Sequence, residues 1–341
     1  MESAERSAPR RHLHGILVAV GLAVTVVFGY LAVRNAQLSE VWDGLKEMNA
    51  WWLVPAFLLL ALCVFLRAVR WASLFTPETR PPLRIVTKAL LAAYAANNLL
   101  PLRPGEVLRV VMLKRQASTS AAEAGATVVV ERGYDVTALL LLLFLSVPFL
   151  PEVSWLDAAA VFAAVVVVGL VAAVVVVAVW GERPLIWAIR PLARFLPVSE
   201  ERLEQIARNA VVGMAGLRHP RLAAVAFAWT ILSWLVLALS NAALLAGFDT
   251  GLDASDTFLA GLLVVIATNL AMVLPSSPAA LGVFEAATVL ALGAFGIDDS
   301  LALSYALVLH ALNFFPYLAC APFVLPGSLR RVTATDLGEV G

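Results

Sequence analysis

The sequence predicts an all-α polytopic membrane protein with about six full spans and two re-entrant helical hairpins in an inverted-repeat arrangement. Three observations predict it. Hydrophobic residues make up 61% of the 341-residue chain and charged residues 14%, with a mean hydropathy of +0.89; a soluble globular chain is about half apolar and a quarter charged. The apolar residues fall in long runs rather than amphipathic stripes, the pattern that lipid selects. Lys and Arg are distributed very unevenly between the loops, which is the mark of membrane topology.

About 20 apolar helical residues cross a hydrocarbon core roughly 30 Å thick. Six runs reach that length, at about 15–33, 51–75, 124–147, 157–180, 221–247 and 300–325. The first follows Arg6, Arg10 and Arg11. It is longer than a signal-peptide core and has no small-x-small cleavage site, so a retained signal anchor is expected. Segment Asn35–Asn49 predicts a short external helix. The fourth run is nearly all Val and Ala and is expected to face lipid. Segment 181–220 predicts an amphipathic helix on the inner surface, capped by Ser199, with Leu203, Ile206, Ala207, Ala210, Val211 and Met214 on one face.

Two apolar regions do not read as simple spans. One runs from Ile85 to Gln116 and is broken at Leu100-Pro-Leu-Arg-Pro-Gly-Glu106; the other runs from Phe258 to Phe295 and is broken at Pro275-Ser-Ser-Pro278. Paired prolines at membrane depth free backbone groups that lipid cannot satisfy. Both regions are therefore expected to be hairpins lining a cavity; the alternative is two ordinary spans each. With the N-terminus in the cytoplasm, 19 of the 24 Lys and Arg fall in inside segments and only Arg34 and Lys46 outside. Both termini are then cytoplasmic, with tails at 1–14 and 328–341 flanking a single transmembrane domain at 15–327. Units at about 51–150 and 220–327 repeat the order span, hairpin, span with opposite topology. Asn98-Leu-Leu-Pro101 leading to Gly105-Glu106 is echoed by Asn269, Leu274-Pro275 and Gly282-Val-Phe-Glu285.

Charges at membrane depth are costly and need partners or a function. They concentrate at Arg103, Glu106 and Arg109, at Glu131, Arg132 and Asp135, and at Glu285. Arg67 and Arg70 stand near the inner end of the second span, with Trp71 as an interface anchor. The functional reading is a polar cavity for a charged headgroup, in which arginine forks hold phosphate, helix ends add dipoles, and Asn98, Asn269, Ser276 and Ser277 add polar contacts. The alternative is that the acids only neutralise the arginines and that Arg67 and Arg70 snorkel to the interface. His310 and Asn313, three apart in the last span, offer a further polar edge, with interhelical hydrogen bonding as the expected reading. Cys63 and Cys320 sit in apolar runs, and no Cys or His pair has ligand spacing, so neither metal nor cofactor is expected. Zero net charge argues against a nucleic-acid partner.

These pieces in this order resemble the lysylphosphatidylglycerol synthase transmembrane-region family, also called flippase-like domains. They are Arg67-Ala-Val-Arg-Trp71, Leu100 to Glu106 with Arg109, Glu131-Arg132 with Asp135, and Pro275-Ser-Ser-Pro278 with Gly282-Val-Phe-Glu285. The resemblance covers roughly 15–327. It implies a bacterial inner-membrane protein that moves an anionic or modified lipid between leaflets: a phospholipid, an aminoacylated lipid or a polyprenyl-phosphate-type glycolipid. In two-domain members a soluble aminoacyl transferase follows the membrane region, and this chain is expected to lack it. Pro104 stands where a small residue is expected, and Ala279-Ala280 where glycines are common. The expected partner is a membrane lipid with an anionic or phosphate-bearing headgroup, and a homodimer or a membrane glycosyltransferase partner stays open. Two other readings stand beside the flippase. One is an integral-membrane enzyme acting on a lipid phosphate through Glu131 and Asp135. The other is a non-transporting accessory subunit of a membrane glycosyltransferase.

Overall fold

Among its described residues, the computed structural model has ten α-helices and three short 3₁₀ turns and no strand. Those residues are 8–75, 79–100, 104–117, 119–152, 220–272 and 278–325, with single helical positions at 158, 161, 165, 169 and 172. The helices are α1 (Ala8–Val33), α2 (Leu38–Glu47), α3 (Leu53–Ser73), α4 (Leu83–Leu99), α5 (Gly105–Gln116), α6 (Ala121–Ser146), α7 (Pro220–Leu245), α8 (Ala254–Ala271), α9 (Val283–Gly293) and α10 (Asp299–Val324). Five of the six expected runs coincide with α1, α3, α6, α7 and α10. The sixth, at 157–180, and the segment 181–220 lie outside the described residues apart from those single positions. Those five positions are all exposed.

Among the described residues, length and apolarity make four helices candidate crossings: 50–73, α7, α8 and α10. α1 and α2 form a fifth if counted as one bent span; they meet at 76°. α6 is as long as α7, at 26 residues, but Glu131, Arg132 and Asp135 interrupt its apolar character. Exposed Leu58, Leu62 and Phe65 on α3, and Val225, Leu232 and Leu239 on α7, recur at helical spacing. Such stripes of large apolar side chains suit a lipid solvent.

Helix starts follow local chemistry. Ser120 caps α6, its hydroxyl accepting from the Glu123 N–H at 3.0 Å, and Asp253 caps α8 by accepting from the Asp256 N–H at 2.8 Å. Both expected breaks are present. α4 ends at Leu99 and α5 begins at Gly105; α8 ends at Ala271 and α9 begins at Val283. Arg84, Ile85 and Lys88 at the start of α4 line one cavity of about 440 Å³ with Gln116 at the end of α5. The segment 83–116 therefore returns to the place it left, as a hairpin does. In the second broken segment the arms are unequal. α8 has 18 residues, enough to cross alone at about 27 Å, whereas α9 has 11 and spans about 16 Å.

By internal contacts the chain divides into two units. The first comprises Met1–Ala61, Tyr94–Pro104 and Val236–Ala321, the second Leu62–Ala93, Gly105–Leu235 and Pro322–Gly341. In the first, α9 packs on α8 and α1. A Cβ on Gly282 would lie 2.6 Å from the Thr25 carbonyl oxygen and 2.8 Å from the Gly29 nitrogen, so glycine allows the backbones to touch. Gly261 plays the same part between α8 and α7, where a Cβ would lie 2.7 Å from the Ala242 nitrogen. Segments expected on one face of the membrane are joined here. The Ser300 hydroxyl donates to Glu40 at 2.8 Å, the Asn35 amide to Asp299 at 2.9 Å, and the Asn49 N–H to the Gly247 carbonyl at 2.8 Å. These bonds tie the loops at 34–50, 246–253 and 294–300 to one end of the unit. In the second unit, α5 packs on α6 and brings the charged residues together.

Candidate functional site

Three helices of the second unit each carry charged residues at helical spacing. α3 presents Arg67, Arg70 and Trp71; α5 presents Glu106 and Arg109, three apart; α6 presents Glu131 and Asp135, four apart, with Arg132 beside them. Spacing of three or four aims each set to one side of its helix. Packing of the helices then brings six of the charges into one network.

Glu131 is its hub, at 3% side-chain exposure. It lies 3.0 Å from Arg70 Nη2. It also accepts from Arg109 Nη1 through both oxygens, at 3.1 and 3.0 Å, and from Arg132 Nη2 at 3.2 Å. Arg70 also pairs with Asp135. Arg109 Nε lies 2.9 Å from Glu106 Oε2, and Arg132 lies 3.4 Å from Glu106 Oε1 and 3.5 Å from Asp135 Oδ2. Arg70, Arg109 and Arg132 are thus balanced by Glu106, Glu131 and Asp135, so the six together carry no net charge. That balance is what allows two guanidiniums to lie 2% and 1% exposed, since an unpaired buried charge costs several kcal/mol.

The network has an inside and a rim. Arg70, Arg109, Glu131 and Asp135 are buried, whereas the Arg132 side chain is 52% and that of Glu106 38% exposed. The pairs of Arg132 with Glu131, Glu106 and Asp135, at 3.2, 3.4 and 3.5 Å, are longer than those within the buried core. Two tryptophans support the arginines. Trp71 lies under Arg109, 4.7 Å from Cζ to ring centroid, and donates its indole N–H to Thr127 at 3.1 Å. Trp234 lies under Arg67 at 4.4 Å. Trp71 is therefore not the expected interface anchor, because it is fully buried. Arg70 does not snorkel, because two carboxylates hold it inside. Sequence reasoning missed Trp71, Trp234 and Thr127 as parts of this site. Arg-x-x-Arg-Trp gave no signal for this, since Trp71 and Trp234 each face an arginine on another helix.

The remaining expected residues are placed as follows. Arg103, Ser276 and Ser277 lie outside the described residues. In the first unit, Asn98 donates to the Asn313 carbonyl at 3.4 Å, and Asn269 donates back to its own helix at Val265, 2.8 Å away. Glu285 takes a partner that spacing did not suggest. Its Oε1 lies 2.5 Å from His310 Nδ1, and its Oε2 accepts the Gly282 N–H at 2.7 Å, capping α9. The His310 ring packs on Phe284, with centroids 4.9 Å apart. His310 thus makes the interhelical hydrogen bond expected of it, whereas Asn313 bonds the Leu309 carbonyl of its own helix at 2.9 Å. At the same break Ala279 and Ala280 both have φ of 59°, a left-handed conformation that favours glycine. These are the two positions at which the sequence departs from the glycines of the pattern.

The model for the lysylphosphatidylglycerol synthase TM region matches residues 18–321. Two proteins of Methanothermobacter thermautotrophicus (strain Delta H), each described as a UPF0104 membrane protein, are similar to this chain along most of their length. One is 24% identical over 89% of this chain and 94% of its own. The other is 26% identical over 79% of this chain and 81% of its own. With its apolar helices, the chain is a multi-pass membrane protein, and it belongs to the lysylphosphatidylglycerol synthase TM-region family.

Proposed function

We propose that this member of the lysylphosphatidylglycerol synthase TM-region family is a lipid flippase. It moves a phospholipid, an aminoacylated lipid or a polyprenyl-phosphate-type glycolipid between leaflets of the cell's inner membrane, with both termini cytoplasmic and its two broken helices in inverted repeats. The observation that carries the reading is the rim of the charge network. Arg132 is a half-exposed guanidinium on α6, and its pairs with Glu106, Glu131 and Asp135 are longer than those among its buried neighbours. A guanidinium so placed gives a phosphate headgroup a counter-charge along a path through the bilayer. The helix break before Gly105 adds the positive end of α5 beside it.

The enzyme reading is weaker on the same residues. Glu131 is committed to three arginines and Asp135 to two, so neither is disposed to act as a general base.

The test is transport of a fluorescent anionic phospholipid between leaflets of proteoliposomes. Arg132→Gln is the informative variant, because Arg132 is outside the buried core of the network and its loss should leave the fold intact. Transport reduced at least tenfold with unchanged thermal stability supports the reading. Wild-type transport by Arg132→Gln, or no transport by folded wild-type protein for any phosphate-bearing lipid, overturns it.

A further inference from the structure

We infer that Glu106 is an internal stand-in for the headgroup phosphate, and that a singly charged phosphodiester enters the site by displacing it from Arg109 and Arg132. This deepens the flippase reading and rests on it.

Glu106 spans two guanidiniums and leaves one edge of the buried one incompletely met. Its Oε2 lies 2.9 Å from Arg109 Nε and its Oε1 3.4 Å from Arg132 Nη2. The Arg109 Nε nevertheless lacks a hydrogen bond of proper alignment, and its Nη2 has no hydrogen-bond partner. These two nitrogens form one edge of the guanidinium, the fork that takes two oxygens of one carboxylate or phosphate. Arg109 is 1% exposed, and buried N–H groups left unmet are costly. The other fork nitrogen, Nη1, is fully used by Glu131. An anion that placed one oxygen on the Nε/Nη2 edge and another on Arg132 would therefore complete contacts that Glu106 makes only in part.

Glu106 can leave because it stands at the exposed rim, in the first turn of α5, directly after the break at 101–104. Exchange of its carboxylate for a phosphodiester also conserves charge, one negative group replacing another. A neutral headgroup offers no such exchange. Glu106 thus serves two ends. It neutralises the arginines while the site is empty, and it sets the threshold that an incoming headgroup must exceed.

Removing an acid should accordingly strengthen anion binding. The probe is phosphatidylglycerol, compared with diacylglycerol, added to the purified full-length protein and read by native mass spectrometry. Glu106→Gln is expected to retain phosphatidylglycerol roughly fivefold more than wild type, the scale of one exposed ion pair. Glu106→Asp, shorter by one methylene and unable to span both arginines, should fall between them, and it serves as the readout if the Gln variant does not fold. The gain should vanish in Glu106→Gln/Arg132→Gln.

If wild type prefers phosphatidylglycerol to diacylglycerol but neither Glu106 variant exceeds it, the stand-in idea is overturned while the headgroup site survives. If no form prefers phosphatidylglycerol, the headgroup reading falls as well. Inorganic phosphate that releases the lipid at equal concentration would assign the site to free phosphate and overturn the lipid assignment.

Discussion

Glu131→Gln should be the most damaging single change in the charge network, and it should act on folding. The wild-type carboxylate contacts Arg70 at 3.0 Å, Arg109 at 3.1 and 3.0 Å and Arg132 at 3.2 Å. Glutamine keeps the shape but offers one acceptor oxygen and no charge. Arg70 retains Asp135 and Arg109 retains Glu106, so the loss is less than that of two separate pairs. It remains the loss of the central charge between two guanidiniums that are each nearly fully buried. Breaking a buried pair by removing one partner costs about 3–5 kcal/mol, a large part of the 5–15 kcal/mol that holds a typical protein folded. Arg132→Gln removes a half-exposed partner instead and should cost no more than about 1 kcal/mol. Thermal unfolding in detergent can be followed with a thiol-reactive dye in a Cys320→Ser background, since Cys63 is 1% exposed. A Glu131→Gln variant as stable as wild type, or an Arg132→Gln variant destabilised as much, would refute the division into buried core and rim. Replacing Arg109 by Met as well should recover part of the stability, because an apolar side chain there leaves less charge unpaired.

The second break and the glycine contacts give two further expectations. Ala279→Gly should raise thermal stability by about 0.5–1 kcal/mol by relieving a left-handed alanine, whereas Ala280→Gly should be near neutral, because Ala280 is fully buried and the lost methyl offsets the relief; melting curves of the two variants check the difference. Gly261→Ala should cost about 1–3 kcal/mol, since its Cβ would meet backbone atoms of Ala242 and Ala238 that cannot rotate away, and an unchanged melting curve would show that α7 and α8 do not approach as closely as described.

The positions of the breaks were legible because proline acts locally. It removes a donor and clashes with the preceding turn wherever it stands, so Pro101, Pro104, Pro275 and Pro278 mark the interruptions without tertiary information. The charged residues were legible for a similar reason, since lipid makes each of them costly. Their pairing was not. Arg70 and Asp135 are 65 residues apart, and periodicity within α3 gives no hint of what faces its inner end. The same limit hid Glu285 and His310, 25 residues apart. An interhelical bond was expected of His310, but its partner was not named; a rule that a carboxylate and an imidazole at membrane depth seek each other would have named it. The reverse holds for Ala279 and Ala280. The sequence pattern calls for glycine there, and the structure supplies the physical reason in two positive φ angles.

The two breaks echo each other in sequence but differ in what their glutamates do. Gly105-Glu106 opens α5 with a carboxylate at the rim, spread between two arginines and reachable from outside. Gly282 to Glu285 opens α9 with a carboxylate whose two oxygens are both committed inward, one to His310 and one to the Gly282 N–H. A glutamate held in that way fixes the helix start and keeps Gly282 against α1, where any side chain would collide with Thr25 and Gly29. The motif Gly followed closely by Glu therefore leaves its carboxylate at an exposed rim at the first break, where exchange is proposed, and anchors a helix start at the second. The proposed exchange therefore draws on the first break alone. The residues proposed to trade a protein carboxylate for a lipid phosphate, Glu106, Arg109 and Arg132, all belong to one unit.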